Sequence, residues 1–433
     1  MNKRILQLAI PNIISNVTIP LLGLVDMALM GHLNADKYIG AVSLGTVIFN
    51  FIYWGFGFLR MSTSGFTAQA FGENNKRGSF VILARAMLIS TAASLIIILF
   101  RMPIGWLSFR LINGSKEVEN LALRYFMIRA WAAPATLGLY VLNGWFLGMQ
   151  NARYPMITSI LANIFNIVFS FFFVVVMEKT TDGVALGTVI GQYLGLLAGC
   201  ALFLVKYKKM LSFWDWNAII NYSALKNFFR VNRDIFIRTF CIIAVFTFFT
   251  SKSASTDDHI LAVNSLLIQF LFFFSFFIDG FAYAGEALAG RYTGGKDRKK
   301  FGELTKNLFK WGFGLALVFM LLFLFGYSLI LGILTDQASL IQTAFRFKFW
   351  IVAMPLLSFA SFIWDGIYIG GTASREMRNS MLAATFLLFV PSYLFFHATL
   401  GDHALWLSML LFMLGRGLFQ TILYRRILLR NFS

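Results

Sequence analysis

The residue with the clearest chemical potential is an aspartate inside an apolar stretch, Asp26 in the segment PLLGLVDMALMG. A charged side chain at the centre of a bilayer costs about 2.5–3.5 kcal/mol on insertion scales, so an acid there needs a function or a partner. Burial favours the protonated form of a carboxyl group. We therefore expect Asp26 to bind a coupling ion or a proton. The alternative is that it is a fixed hydrogen-bond acceptor or lies close to the outer interface.

Three further acids lie in apolar stretches of the second half. Asp279 and Glu286 occur in FFIDGFAYAGEALAG, seven residues apart and therefore on one face of a helix. Asp365 occurs in WDGIYIGG. With Arg60 and Arg238 as partners, these acids could form a charge network used in pairing or gating. The alternative is a set of structural ion pairs near the helix ends.

Enzyme and metal chemistry have little support in the sequence. The four histidines are scattered at the edges of apolar runs, without a metal-ligand spacing, at His32, His259, His397 and His403. Cys200 and Cys241 lie far apart in separate apolar runs, which argues against a disulfide or a cysteine-bound metal. We expect no enzymatic activity, no metal site and no cofactor.

The elements that position these residues are predicted to be membrane-spanning helices. The composition is 58% hydrophobic and 13% charged, where a soluble domain has roughly a quarter charged residues. Apolar runs long enough to cross a bilayer recur along the chain. Twelve such runs lie near 5–30, 40–70, 80–108, 120–149, 155–177, 184–205, 228–250, 259–290, 302–332, 340–370, 380–398 and 404–424.

An internal repeat divides these spans into two sets of six. Gly144 and Gly148 lie 222 positions before Gly366 and Gly370, and the string NGWFLGMQNAR matches DGIYIGGTASR at that offset without a gap. Tandem halves are typical of secondary transporters, whose substrate sites lie between the repeats. We predict a first lobe over 1–205, a cytoplasmic linker over 206–227 and a second lobe over 228–433.

The formal charge of +18 follows the membrane topology. Dense Lys and Arg lie on the side of both termini, above all between Lys206 and Arg233 and between Arg291 and Lys306. The opposite side carries few. This bias places both termini in the cytoplasm. It gives no basic patch on a soluble module, so we expect no nucleic-acid partner. The linker is predicted to lie on the lipid headgroups, with a cytoplasmic partner site as the alternative.

The sequence also resembles a known family. The chain is similar over nearly its whole length to the DinF-like branch of the multidrug and toxic compound extrusion (MATE) family. The strings that carry the resemblance are LAIPNIISNVTIPLLGLVDMALMGHL, GFGFLRMSTSGFTAQAFG, GWFLGMQNARYPM, NRDIFIRT, DGFAYAGEALAG and WDGIYIGGTASREMRNSM.

The resemblance implies an all-α polytopic protein with twelve transmembrane helices in two six-helix, pseudo-symmetric lobes around a central cavity. It also implies alternating access driven by H⁺ or Na⁺ influx, with export of organic compounds that are cationic or amphipathic. Asp26 matches the family's coupling acid and Pro11 its helix-bending proline.

The resemblance also assigns polar residues of the first lobe. Tyr125, Asn166 and Thr188 match polar neighbours of the coupling acid. Ser170 stands where many relatives have a second acid, which weakens a high-affinity Na⁺ site and favours H⁺. The expected partners are a small organic substrate and the bilayer, and we expect a monomer in a bacterial inner membrane.

Two other functions remain open at this level. A flippase for lipid-linked saccharides would share the architecture and would need a cationic cavity, for which Arg60, Arg238 and Arg346 are candidates. A membrane-embedded enzyme would need clustered His, Asp and Glu at the membrane surface.

Overall fold

Every regular element of the described chain is helical. The computed structural model describes residues 1–31, 36–111 and 115–432. Helices of the first half, in chain order, are α1 (Asn2–Gly31), α2 (Asp36–Gly55), α3 (Phe58–Gly72), α4 (Lys76–Leu99), α5 (Arg101–Leu111), α6 (Lys116–Arg129), α7 (Ala133–Gly148), α8 (Arg153–Phe171) and α9 (Thr181–Tyr207). A 3-10 turn, Ala130–Ala132, joins α6 to α7, and a π-helical segment, Phe172–Val176, extends α8.

A short helix and a 3-10 segment form the linker. The 3-10 segment is Lys208–Phe213, and it is followed by α10 (Trp216–Ile219). The second half contains α11 (Tyr222–Thr256), α12 (Asp258–Gly294), α13 (Arg298–Leu334), α14 (Ala338–Ala344), α15 (Lys348–Gly370), α16 (Ser374–Ala383), α17 (Val390–Leu400) and α18 (His403–Phe432). A 3-10 turn precedes α15, and a π-helical segment, Ala384–Phe389, connects α16 to α17.

The helix lengths agree with membrane-spanning segments. Within the described residues, eleven helical segments are long and apolar enough to cross a membrane. The predicted span near 120–149 is built from α6 and α7 around the 3-10 turn, so its two parts are short. The predicted span near 80–108 is likewise divided, because α4 ends at Leu99 and α5 begins at Arg101.

The chain forms two compact units whose boundary lies inside α1. Residues Met1–Ile13 group with Phe228–Ser433, and Ile14–Asn227 form the other unit. Pro11 lies two residues before that boundary, and its ring nitrogen cannot donate the helical hydrogen bond. The lobe limits drawn from the sequence at 205/206 and 227/228 remain predictions, as does the bending role of Pro11.

The repeated glycines mark close helix contacts within each unit. A Cβ at Gly148 would lie 2.6 Å from Thr67 Cβ and 2.8 Å from the Ser64 carbonyl oxygen, so α7 lies directly against α3. At the equivalent position of the second half, a Cβ at Gly370 would lie 2.7 Å from the Gly290 amide nitrogen. Small residues allow such backbone approach between membrane helices.

Helix α9 packs along α8 through a row of glycines that includes Gly191 and Gly195. A Cβ at Gly191 would lie 2.8 Å from both the Ala162 carbonyl oxygen and the Asn166 amide nitrogen. At Gly195 it would lie 2.7 Å from Ala162 Cβ. The row of glycines therefore holds α8 and α9 together along their length, and this contact positions the polar residues of α8.

Candidate functional site

Asp26 lies on α1, in the unit formed by residues 14–227. Its Oδ1 atom is buried, and no hydrogen-bond donor of the described residues reaches it. A buried carboxylate oxygen without a donor is unusual, because most buried polar atoms in folded proteins are hydrogen-bonded. The oxygen is therefore open to a proton or another small ligand.

The positive charge that acts on Asp26 comes from Arg129, at the last turn of α6. The guanidinium interacts electrostatically with Asp26. Its Nη1 atom donates to the Tyr125 hydroxyl at 2.7 Å and to Thr46 Oγ1 at 3.2 Å. The Arg129 guanidinium group also lies 4.9 Å from the centre of the Phe49 ring, a cation–π distance. Arg129 is thus held by α2 and α6 together.

A glycine on α2 creates the space for Tyr125. A Cβ at Gly45 would lie 2.9 Å from Tyr125 Cε1, so any larger residue would displace the ring. Tyr125 itself is 1% exposed. The hydroxyl is consequently fixed where it accepts the hydrogen bond from Arg129. The sequence indicated Tyr125 but not Arg129, because nothing in the string RYFMIRA shows that Arg129 acts on Asp26.

A second polar group lies between α8 and α9. Asn166 Nδ2 donates to Thr188 Oγ1 at 3.1 Å, and Ser170 Oγ donates to Asn166 Oδ1 at 3.1 Å. Thr188 Oγ1 donates in turn to the Val184 carbonyl at 3.0 Å. All three side chains are buried. The structure therefore brings Asn166, Ser170 and Thr188 together as a neutral network.

Helix α8 also contacts α1 through a residue that the sequence did not single out. Asn163, one turn before Asn166, donates from Nδ2 to Thr18 Oγ1 at 3.1 Å. The two asparagines lie on neighbouring faces of α8, one directed to α1 and the other to α9. Of the hydrogen bonds described, none joins this group to Arg129 and Tyr125, so the two polar groups are separate in this conformation.

The second half contains a buried ion-pair network centred on Asp365. Its Oδ2 atom accepts hydrogen bonds from Arg238 and from Arg416, the latter at 2.7 Å, and its Oδ1 accepts one from Gln420 at 2.8 Å. The side chains of the three charged residues are at most 9% exposed. Asp279 interacts electrostatically with Arg416, which brings a second acid into the same network.

The sequence matches a known protein family. The family model described as MatE matches residues 11–172 and 235–394, well over half of the chain. The chain is 36% identical over 434 residues to DNA damage-inducible protein F of Escherichia coli K12, covering 98% of this chain and 92% of that protein. The chain belongs to the MATE family.

Solved MATE structures share the fold of this chain. A MATE protein in a bent conformation superposes with a TM-score of 0.87 at 19% identity, covering 98% of this chain and 95% of that one. An outward-facing multidrug resistance MATE transporter gives 0.85 at 20% identity, with 98% and 95% covered. The predicted fold class is confirmed: an all-α, multi-pass membrane protein with the twelve-helix, two-lobe MATE architecture.

Family membership identifies this chain as a transporter and not an enzyme. Within the described ranges, His, Cys, Asp and Glu form no group of three that could hold a metal ion. His32 lies outside the described residues. The functional groups of the candidate site are carboxyl, hydroxyl, amide and guanidinium groups.

The structure brings together some residues of the predicted charge network and leaves others apart. Asp365 and Arg238 are paired directly, and Asp279 lies in the field of Arg416. Glu286 is buried on α12, whereas Arg60 lies on α3 in the other unit. The sequence missed Arg416 and Gln420, whose spacing of four residues on α18 was the only available signal.

The pairing of Arg238 bears on the flippase alternative. A cavity for a pyrophosphate group needs arginines whose charge is available to the ligand. Arg238 is paired with Asp365, a carboxylate that it shares with Arg416, and Arg346 is exposed in the turn before α15. Neither arrangement favours a pyrophosphate site over the MATE function.

Proposed function

We propose that this MATE transporter is a proton-coupled antiporter that exports organic, cationic or amphipathic compounds, with Asp26 as the group that takes up the coupling proton. The observation that carries the proposal is the buried Oδ1 atom of Asp26, which no donor of the described residues reaches. A carboxyl group in this state gains or loses a proton without breaking an existing hydrogen bond at that oxygen.

The groups around Asp26 favour H⁺ over Na⁺. A sodium site needs several hard oxygen ligands and negative charge around the ion. The charged group that interacts with Asp26 is the Arg129 guanidinium, which repels a metal cation. Ser170 offers only a neutral hydroxyl, already donated to Asn166. Arg129 disfavours either cation, but a proton needs only the one carboxylate oxygen, whereas Na⁺ needs several further oxygen ligands.

Arg129 gives the cycle two charge states. With Asp26 ionised, the carboxylate and the guanidinium compensate each other. With Asp26 protonated, the guanidinium keeps Tyr125 and Thr46 as acceptors but loses its counter-charge. Proton binding drives transport only if it favours one conformation over the other, so these two states must belong to different arrangements of α1. We propose that Pro11 permits that rearrangement of α1.

The substrate class and location follow from the same proposal. One structural neighbour is named as a multidrug resistance transporter, which supports small organic substrates of variable shape here. We further propose a monomer in a bacterial inner membrane with both termini in the cytoplasm, since the basic residues concentrate on that side.

Transport by purified protein in liposomes tests the proposal. We expect an outward-directed flux of a fluorescent organic cation under an imposed pH gradient, and no flux under an equal Na⁺ gradient. Asp26→Asn should abolish the flux. The matched control is Asp182→Asn, which removes an acid paired with Arg124 at a helix end and should retain transport. Flux driven by Na⁺ alone, or pH-driven flux by Asp26→Asn, would contradict the proposal.

A further inference from the structure

The linker covers two adjacent cavities whose chemistry differs. One has a volume of about 380 Å³ and lies between α4, the end of α9 and the linker, with Leu83, Met87, Cys200, Phe203 and Trp214 among its walls. The other, of about 330 Å³, is bounded by α4 and α10 and includes Asn75, Arg77, Arg85 and Asn221. The first is lined mostly by apolar side chains, whereas the second has two arginines and two asparagines among its walls.

The two cavities lie against the same two helices, although no residue lines both. Both use α4 and α10, with Ala218 facing the polar cavity and Ile219 the apolar one. The polar cavity lies at the first turns of α4, whereas the apolar cavity continues along α4 to Thr91. A ligand filling both would therefore be polar at the helix start and apolar along the span.

The linker is fixed in place by two arginines of α4. Arg85 donates from Nε to the Ile219 carbonyl at 3.0 Å and from Nη2 to the Ala218 carbonyl at 2.6 Å, at the end of α10. Arg77 forms an ion pair with Asp215, the residue that caps the start of α10. Trp214 packs against Phe80 of α4, with ring centres 6.2 Å apart.

Arg85 is the residue that points to an anion. It is 8% exposed, and both of its hydrogen-bond partners are neutral carbonyl groups. Among the described residues no carboxylate forms an ion pair with it, although a buried charge is normally paired. Its Nη1 atom takes part in neither bond. The polar cavity thus contains a guanidinium that has no carboxylate counter-ion among the described residues.

We propose that the linker and α4 form a binding site for one anionic phospholipid of the cytoplasmic leaflet. The phosphate lies in the polar cavity near Arg85, and an acyl chain fills the apolar cavity along α4. Exposed lysines of the linker, Lys206, Lys208 and Lys209, add to the attraction for anionic headgroups. The site belongs to the first half, because Asn307 stands at the position equivalent to Arg85.

Native mass spectrometry of the full-length protein in detergent measures the binding. With phosphatidylglycerol we expect one retained lipid per protein, bound more tightly than phosphatidylcholine. Arg85→Gln should weaken phosphatidylglycerol binding by about five-fold and leave phosphatidylcholine binding unchanged. Arg85→Lys, which keeps the charge, should preserve the preference. The control is Lys299→Gln at the repeat equivalent of Arg77, which should have no effect.

Cys200 provides a second measurement that reports position. In a Cys241→Ala background, phosphatidylglycerol should slow the reaction of Cys200 with a maleimide, because the acyl chain occupies the cavity that Cys200 lines. Inorganic phosphate should give no protection, since it has no chain. Protection by phosphate alone, equal binding of the two lipids, equal loss in the Arg85 and Lys299 variants, or displacement of the lipid by the transported organic cation would overturn the proposal.

Discussion

Asp26 and Asp365 both lie in membrane-spanning helices, yet their surroundings differ. Asp365 accepts hydrogen bonds from two arginines and a glutamine, all buried, so its charge is compensated within the second half. Asp26 has a buried oxygen that no donor of the described residues reaches, and one arginine acts on it through its field. The first arrangement stabilises a fold, whereas the second leaves a group free to change its charge.

At the residue scale, Arg129 should determine which ion the site accepts. Removing a neighbouring cation lowers the repulsion of Na⁺ by about 2–4 kcal/mol for charges ~4–8 Å apart at an effective dielectric constant of ~20. We therefore expect Arg129→Gln to gain a Na⁺-specific increase in Tm that the wild type lacks. Thermal unfolding in NaCl and in KCl at equal ionic strength measures this difference.

The control for this experiment lies one turn earlier on α6. Arg124→Gln removes a guanidinium that is paired with Asp182 at 2.6 Å and is mostly exposed. It should leave the Na⁺ response as in the wild type. A wild-type protein that Na⁺ already stabilises more than K⁺ does would contradict the role given to Arg129.

Asp365 should matter for stability and not for coupling. Asp365→Asn leaves Arg238 and Arg416 buried without the carboxylate that bonds both, and breaking one partner of a buried pair costs about 3–5 kcal/mol. We expect a clear fall in Tm in detergent. Asp297→Asn is the comparison, because its pair with Lys300 is exposed and such pairs contribute little. Equal effects of the two substitutions would contradict a stabilising network at Asp365.

At the scale of elements, the same helix pair is built twice from the same contacts. Gly144 on α7 meets the Arg60 carbonyl of α3, and Gly366 on α15 meets the Ala282 carbonyl of α12. Ala282 is 222 positions after Arg60, so the partner backbone is repeated as well as the glycine. Asn74 and Lys296, which share that offset, both have positive φ in the turns that follow α3 and α12.

Adding one methyl group at these contacts should separate the helices. Gly144→Ala and Gly366→Ala each place a Cβ inside van der Waals contact with a carbonyl oxygen, and backbone cannot move aside as a flexible side chain can. Overpacking of this kind typically costs about 1–3 kcal/mol. We expect a lower Tm for both variants.

Gly314→Ala on α13 is the matched control for these two variants. No atom of the described residues lies within 4 Å of a Cβ at that position, and alanine favours a helix over glycine. Its Tm should be unchanged or slightly raised. A Gly314 variant as unstable as the Gly366 variant would show that helix propensity, and not the close approach, decides the outcome.

At the scale of the whole molecule, the scaffold is duplicated but the polar groups are not. The first-half residues Asp26, Tyr125, Arg129 and Asn166 fall on Phe248, Phe347, Ile351 and Leu388. Conversely, the second-half residues Asp365, Arg238, Arg416 and Gln420 fall on Asn143, Asn16, Leu194 and Ala198. Each half therefore keeps its helix packing and carries its own polar chemistry.

This asymmetry predicts that the coupling acid cannot be moved to the other half. In the double variant Asp26→Asn/Phe248→Asp, the new acid lies next to Phe389 and Tyr393, whose rings contact Phe248. No equivalent of Arg129 or Asn166 is present there. We expect no recovery of proton-driven flux in liposomes compared with Asp26→Asn alone. Restored flux would mean that the scaffold, and not the local polar set, determines coupling.

The sequence by itself determined the span pattern, the duplication, the family and the position of the isolated acid. These features can be read from the order of the residues alone, because hydropathy and a fixed offset between glycines do not depend on which helices are neighbours. The glycine contacts of α7 and α15 show how far this reaches, since the offset in sequence is reproduced as the same backbone approach.

The tertiary structure alone decided which charges meet. Arg238 and Asp365 are 127 positions apart, and Arg85 reaches carbonyls more than 130 positions away. An arginine in an apolar run has the same appearance in sequence whether it pairs with an acid, holds a tyrosine or faces a cavity. Long side chains choose partners through the packing of distant helices, and for that reason Arg129, Arg416 and Arg85 emerged only from the folded chain.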